Sequence, residues 1–126
     1  MRQHSIELDG VAHTAPIPMA CRVGPILATS AISGIDPATG QPAPDADGQA
    51  RLAFGHLRAV LAAGGLDLGD VVKLTVFVSD DVHRTAINRY WLEYYPDPHH
   101  RPARHTMQMS LRGVLLQLEA LAVAKD

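Results

Sequence analysis

The stretch Val71-Val72-Lys73-Leu74-Thr75-Val76-Phe77-Val78 decides the fold class of this 126-residue chain. It is rich in β-branched residues and has the length of an ordinary strand. Because side chains alternate along a strand, its even-numbered residues share one face and its odd-numbered residues share the other. The even-numbered face is wholly apolar (Val72, Leu74, Val76 and Val78), and the opposite face carries Lys73, Thr75 and Phe77. We therefore predict a core strand here.

An amphipathic helix is predicted on each side of this strand. Before it, apolar residues recur at helical spacing over Ala50–Leu61, with Asp45 or Asp47 as the N-cap and Gly64-Gly65 as the stop. After it, the same spacing predicts a second helix over about Val82–Tyr95. Both helices need a sheet face against which to bury their apolar sides.

Five further apolar segments predict the strands that complete the sheet. Three precede the first helix and two follow the second, and the last two are predicted to pair as a hairpin. Residues 36–47 hold three prolines and a glycine, so they are interpreted as a surface loop. The fold class is therefore α+β, a single domain over residues 1–126 with both helices on one face of a mixed sheet. The predicted strands are Ser5–Leu8, Met19–Val23, Ile26–Ile32, Arg104–Ser110 and Leu115–Ala124.

Composition excludes several classes of protein. Hydrophobic residues make up 47% and charged residues 19%, so the chain is not of the disordered or low-complexity kind. The net charge of −2 does not favour nucleic-acid binding. No apolar run approaches the roughly 20 residues of a membrane span, and the N-terminus lacks the pattern of a secretory signal. The single cysteine, Cys21, is interpreted as a buried thiol in a strand, and we expect a cytoplasmic protein.

Several predicted strands carry apolar side chains on both faces, although the helices cover only one. Phe77 lies opposite the apolar row of its strand, and Leu121 and Val123 lie opposite Leu118 and Ala122. An apolar patch of that extent is typical of an oligomer interface. The sequence therefore predicts a homo-oligomer.

Polar residues alternate along the last two predicted strands. Arg104, Thr106 and Gln108 share one side of the first strand. Gln117 and Glu119 share one side of the second, and the predicted hairpin would bring both sets to one face. An arginine there suits a carboxylate ligand, because its planar fork can donate two parallel hydrogen bonds. The alternative is a solvated or salt-bridged structural arginine.

Other candidates for chemistry are weaker. His99, His100 and His105 are close in sequence, but no acidic residue accompanies them at a metal-ligand spacing, so solvated histidines are favoured over a metal site. Ser30 lacks the Gly-x-Ser-x-Gly surroundings of an activated nucleophile. No nucleotide-binding or paired-cysteine motif is present, so neither a metal nor an organic cofactor is expected.

Five segments match the pattern of one known family, and the match runs in order and nearly without gaps from about Pro16 to the C-terminus. They are Thr29–Gly40 (TSAISGIDPATG), Ala63–Val78 (AGGLDLGDVVKLTVFV), Ala86–Trp91 (AINRYW), Pro102–Arg104 (PAR) and Leu118–Val123 (LEALAV). With these segments the chain resembles the Rid (YjgF-type, reactive intermediate deaminase) family. The resemblance implies a chorismate-mutase-like fold that forms a homotrimeric barrel, with ligand sites in the clefts between subunits.

The same resemblance implies an activity and a set of site residues. Members of the family hydrolyse reactive 2-imino acids and their enamine tautomers, such as 2-aminoacrylate, to 2-keto acids and ammonia. By the resemblance, Arg104 holds the substrate carboxylate, and Ser30, Ala31 and Asn88 lie in or beside the pocket. The partners implied are a small carboxylate substrate and two further copies of the chain.

Three positions depart from the family pattern. Ile17 follows Pro16 where a tyrosine is usual, Thr106 replaces a cysteine, and Gln117 replaces the acid that helps to place the attacking water. An amide cannot accept a proton as a carboxylate does. Two hypotheses therefore stand: an imine deaminase in which Arg104 and Gln117 act, or a relative that binds a small carboxylate metabolite or acts on a different catabolic substrate. Ribonuclease activity, ascribed to some relatives, gains nothing from the net charge.

Overall fold

Two helices lie against one face of a seven-stranded mixed sheet in the computed structural model, which describes residues 2–125. A separate two-stranded ribbon lies before the first helix. Short 3₁₀ turns at Leu68–Asp70 and Asp81–His83 lead into the seventh strand and the second helix. In chain order the elements are β1 (His4–Ile6), β2 (Ala20–Val23), β3 (Ile26–Thr29), β4 (Ile32–Ser33), β5 (Ile35–Asp36), β6 (Gln41–Pro42), α1 (Ala46–Ala63), β7 (Val71–Val78), α2 (Arg84–Tyr94), β8 (Ala103–Gln108) and β9 (Leu116–Val123).

The strand order β1-β2-β3-β9-β7-β8 corrects one prediction. The last two strands do not form a hairpin, because β7 lies between them. β8 pairs with β7 in parallel, and β9 pairs antiparallel with β7 on one side and with β3 and β4 on the other. The physical reason is that β7, α2 and β8 form a crossover unit, in which the helix carries the chain back so that the next strand runs parallel.

Helix α1 begins earlier than the apolar periodicity predicts, and its predicted cap is confirmed. The Asp45 carboxylate accepts a hydrogen bond of 2.7 Å from the Gly48 amide, which satisfies one of the free donors at the helix start. The helix ends at Gly64, where an added Cβ would collide with the side chains of Leu27 and Ile6. That close approach keeps the end of α1 against the sheet.

The core lies between the helices and the sheet. Within β7, Leu74, Val76 and Val78 are fully buried, as predicted, but Val72 is 51% exposed. A β-bulge between Val71 and Lys73 shifts the alternation by one residue there, so Val71 enters the core in place of Val72. The buried apolar residues of α1 and α2 that cover the sheet are Ala50, Ala53, Phe54, Leu57, Val60, Leu61, Ile87 and Tyr90.

The strands at positions 26–36 differ from the prediction of one long strand and a loop. The predicted strand 26–32 is interrupted at Ser30 and Ala31, so that β3 and β4 pair with successive parts of β9. The predicted loop contains the short ribbon β5–β6. The prolines limit that ribbon to two residues a strand, because they cannot donate to a longer ladder.

The sheet face turned away from the helices, here called the open face, carries large apolar side chains. Ile26 and Leu121 are 50% and 43% exposed, and Val123 is 43% exposed. Cys21 pairs with Ala28 on this face, so the prediction that it lies in a strand is confirmed. The prediction that its thiol is buried is wrong for the single chain, where Cys21 is half-buried. A homotrimer that covers the open face remains a prediction.

Candidate active site

Arg104 lies on β8, the edge strand of the sheet, and is oriented by three side chains. Its Nε donates to Thr106 Oγ1 at 2.8 Å, and its Nη2 donates to Asn88 Oδ1 at 2.8 Å. Its Cζ lies 5.1 Å from the centroid of the Trp91 ring, a cation–π distance. Asn88 and Trp91 lie on α2 three residues apart and so share one helix face. We call Asn88, Trp91, Arg104 and Thr106 the arginine cluster.

The arginine cluster leaves part of the guanidinium fork available. Within residues 2–125, no Asp or Glu oxygen lies within 4.0 Å of Arg104, and its Nη1 makes no hydrogen bond. Partial burial, with a smaller effect from the charge of Arg84, lowers the pKa of Arg104 from its usual value. Within residues 2–125, Arg104 is therefore not the salt-bridged structural arginine that the sequence raised as one alternative. A half-buried cation without a counter-charge is suited to an anionic ligand.

Trp91 of the arginine cluster and Arg84 beside it were not identified as site residues from the sequence. Arg84 donates from Nη2 to the Thr106 carbonyl at 3.1 Å and pairs with Asp81 at 2.9 Å. Trp91 could have been found from its spacing to Asn88, but no comparable signal pointed to Arg84. Gln108 shares the strand side of Arg104 and Thr106, as predicted, and accepts a hydrogen bond from the Asp81 amide.

Gln117 lies on the opposite side of the sheet from Arg104. Arg104 is the register partner of buried Leu74, so its side chain is on the helix side, whereas Gln117 is the partner of Phe77 on the open face. The prediction that both residues share one face of a hairpin is wrong within one chain. It failed because β7 separates the two strands and because sequence alternation does not say which face of each strand is buried.

The hydrogen bonds of Gln117 and Ser30 show what each side chain does within the chain. Gln117 Nε2 donates to Ser33 Oγ at 3.3 Å, where β9 pairs with β4. The Ser30 hydroxyl donates to the Pro18 carbonyl at 2.8 Å, and the Ser30 amide donates to the Met19 carbonyl. Ser30 therefore holds the segment before β2 against the end of β3, and no His, Asp or Glu side chain within residues 2–125 is hydrogen-bonded to it. Ile17, in that segment, is 46% exposed.

A cavity of about 320 Å³ lies next to these residues. It brings Ala31 and Ser33 together with the segment before β2, and we call it the loop pocket. The residues that line the loop pocket are Gly10, Val11, Ala12, His13, Thr14, Met19, Ala31, Ser33, Ile35 and Gly40. The predicted site residues therefore fall into two regions. Arg104, Asn88 and Thr106 belong to the arginine cluster. Ala31 lines the loop pocket, and Gln117 is hydrogen-bonded to Ser33, which also lines it.

Two of the candidate metal-ligating histidines, His99 and His100, lie in the loop before β8. His105 lies on β8 between Arg104 and Thr106 but in register with Thr75, on the opposite face from both. His99 and His105 are exposed, and His100 lies 3.8 Å from the exposed carboxylate of Asp97. Across residues 2–125, no three His, Cys, Asp or Glu side chains lie together in an arrangement that could hold a metal ion.

The profile of the family described as endoribonuclease L-PSP matches residues 11–124. The chain belongs to that family. A 2-iminobutanoate/2-iminopropanoate deaminase of Salmonella typhimurium is 31% identical over 117 residues, which span 90% of this chain and 91% of the relative. A RutC family protein of Haemophilus influenzae is 32% identical over 118 residues, with the same coverage. These relatives confirm the Rid-family resemblance.

Solved structures of Rid proteins have the same fold. Escherichia coli TdcF with bound serine has a TM-score of 0.87 and 29% identity, and covers 97% of this chain and 99% of its own. The YjgF gene product of Escherichia coli has a TM-score of 0.86 and 27% identity over 97% and 99% of the two chains. The α+β fold with two helices over a mixed sheet is thereby confirmed. No helix within residues 2–125 is both long and apolar enough to cross a bilayer.

Proposed function

We propose that this protein hydrolyses 2-imino acids and their enamine tautomers to 2-keto acids and ammonia. The observation that carries the proposal is the half-buried Arg104, which two side-chain hydrogen bonds orient and which has no carboxylate partner in residues 2–125. Relatives of about 30% identity are named 2-iminobutanoate/2-iminopropanoate deaminases. A structural neighbour holds serine, a small molecule with a carboxylate.

Arg104 binds the substrate carboxylate through the end of its guanidinium. Because Nε is engaged by Thr106 and one Nη2 hydrogen by Asn88, the remaining Nη1 and Nη2 hydrogens form the fork that a carboxylate accepts. The Trp91 ring beneath the guanidinium limits its movement. The carboxylate is thus fixed before the reaction, and the imine carbon one bond away takes a defined position.

The chemistry that follows makes small demands on the protein. A protonated imine is already a good electrophile, so an acceleration of roughly 10²–10⁴, equivalent to about 3–5 kcal/mol, is enough. Water attacks the imine carbon, ammonia leaves and the keto acid remains. Gln117, held by Ser33, contributes a carboxamide that can orient this water but cannot accept its proton.

We propose further that the working unit is a homotrimer whose sites lie between subunits. The arginine cluster is on the helix side of the sheet, and Gln117 is on the open face, so one chain cannot place both around one small ligand. A neighbouring subunit that covers the apolar open face could bring its arginine cluster to this chain's loop pocket. Ile26, Leu121 and Val123 would then be buried.

One assay tests the activity. An amino-acid oxidase generates 2-iminobutanoate in situ, and release of 2-oxobutanoate is followed with and without the protein. We expect the wild type to accelerate release, and Arg104→Lys to lower kcat/KM by about 10²-fold, because lysine keeps the charge but loses the planar fork. Arg112→Lys, the same exchange in an exposed turn, is the matched control and should leave the rate unchanged. No acceleration by the wild type would refute the proposal.

The alternative is a protein that binds a small carboxylate without deaminating it. It is favoured by Gln117, Thr106 and Ile17, which stand where deaminases carry an acid, a thiol and a phenol. Calorimetric titration with serine distinguishes the two functions. Binding that Arg104→Lys abolishes, in a protein that does not accelerate imine hydrolysis, would establish the alternative.

A further inference from the structure

His13 is the polar residue that this fold leaves unsatisfied. Its ring Nε2 is buried and makes no hydrogen bond, and it is the single such side-chain nitrogen or oxygen found within residues 2–125. Buried Gln49 shows the contrast: its Nε2 donates to the Ala43 carbonyl and its Oε1 accepts from the Leu115 amide, both at 2.8 Å. A buried polar atom without a partner destabilises the fold, because it has lost its hydrogen bonds to water and gained none in return. Such an atom needs a physical explanation, and a bound ligand that forms a hydrogen bond with it supplies one.

The position of His13 connects it with the proposed chemistry. It lines the loop pocket together with Ala31 and Ser33. Ser33 is also the residue that accepts the hydrogen bond from Gln117. The imidazole therefore lines the same cavity as Ser33, the residue that holds the amide standing where a proton-accepting acid is expected.

Three titratable groups bonded to, or next in sequence to, residues that line the loop pocket are engaged elsewhere. Glu7 Oε1 accepts from the Met19 amide at 3.1 Å, and Asp36 Oδ1 accepts from the Ala38 amide at 2.9 Å. His56 Nε2 lies 2.6 Å from the Ile35 carbonyl. Among the residues that line the loop pocket, His13 is the one whose side chain can act as a general base.

We propose that His13 is the proton acceptor of the deaminase site. This inference rests on the proposed function. As water attacks, its oxygen bonds to the imine carbon, the C=N electron pair moves to nitrogen, and His13 Nε2 takes the proton that water releases. The imidazolium then returns the proton to the amino nitrogen, and the C–N bond breaks with its electron pair on the departing ammonia. The hydroxyl becomes the keto group as it passes its own proton to His13 Nε2. Gln117 orients the water, and His13 accepts the proton, which an amide cannot do.

The experiment compares His13→Ala with His13→Gln on 2-iminobutanoate. We expect both variants to lower kcat by about 10²-fold with KM changed less than about threefold, because a general base acts in the chemical step. Glutamine can reach a similar position and make a hydrogen bond, but it cannot take a proton. Free imidazole should restore part of the rate of His13→Ala and leave the wild type unchanged. His99→Ala, the same exchange in an exposed loop, is the control and should behave as the wild type.

The pH dependence supplies a second readout. For the wild type, kcat should fall at acidic pH as an imidazole becomes protonated, and this fall should be absent in His13→Ala. Full rates in His13→Ala, or recovery of the rate by His13→Gln, would overturn the assignment while leaving the deaminase proposal intact. A wild type without activity would overturn both. Thermal unfolding and the solution mass of each variant exclude a loss caused by misfolding.

Discussion

The arginine cluster and the loop pocket differ in how complete each is within one chain. In the arginine cluster, Asn88 and Thr106 bind Arg104 at 2.8 Å each, so the guanidinium is oriented before any ligand arrives. The loop pocket holds an unpartnered His13 nitrogen and a long bond of 3.3 Å between Gln117 and Ser33. The arginine cluster is thus preorganised by its own secondary structure. The loop pocket still needs a ligand or a second subunit to pair its free polar group.

The largest effect is expected from a change that separates the two regions. Leu121→Arg places a charge on the open face next to Lys73, its register partner. If the trimer covers this face, three buried cations would disrupt it, so the solution mass should fall toward 13.6 kDa. The deaminase rate should fall by about 10²-fold or more, because no neighbour then completes the loop pocket.

The matched control places the same charge on the helix side of the molecule. Leu92 on α2 is 53% exposed, so Leu92→Arg should keep both the mass and the rate. Leu121→Arg with a wild-type mass by light scattering would contradict a trimer built on the open face.

Mixed oligomers test whether the two regions act across subunits. Arg104→Lys inactivates the arginine cluster, and Ala31→Trp fills the loop pocket. Each variant alone should be nearly inactive, yet equal co-expression should restore about one quarter of the wild-type rate. In randomly assembled oligomers, half of the arginine clusters and half of the loop pockets are intact, so about one quarter of the sites combine an intact cluster with an intact pocket. If mixed oligomers of confirmed composition recover no activity, the arginine cluster and the loop pocket of one site must come from the same chain.

A smaller effect is expected from loosening the preorganised region. Asn88→Ala removes the acceptor of the Arg104 Nη2 hydrogen bond and leaves Thr106 in place. One charge-assisted hydrogen bond is worth about 1.5–3 kcal/mol, so kcat/KM should fall by roughly 10-fold to 10²-fold. Steady-state kinetics should show the loss, and an unchanged kcat/KM would mean that Thr106 and Trp91 suffice.

The smallest effect is expected at Gln117. A carboxylate at this position could share proton transfer with His13, so Gln117→Glu should raise kcat by a few-fold up to about 10-fold. The measurement is kcat on 2-aminoacrylate and on one larger imino acid, with Gln108→Glu as the control, since Gln108 bonds the Asp81 amide outside both regions. Unchanged or lower rates on both substrates would show that position 117 does not contact the attacking water.

Much of the fold follows from local patterns that the sequence displays directly. The β-branched row of β7, the apolar spacing of α1 and the Asp45 cap each depend on residues close together in the chain. For that reason the α+β class and nearly all elements were predictable. Val72 was misplaced because a bulge depends on the partner strand, which the sequence does not display.

The sequence by itself determined the chemical groups of the proposed site: an arginine suited to a carboxylate, an asparagine expected beside the pocket, and an amide where the family pattern has an acid. Only the tertiary structure decided their arrangement. Strand order put β7 between β8 and β9, and burial sent Arg104 and Gln117 to opposite faces. The structure likewise revealed the orphaned nitrogen of His13. The reason is physical: secondary structure arises from neighbours along the chain, whereas strand pairing, facing and hydrogen-bond satisfaction arise from contacts between distant segments.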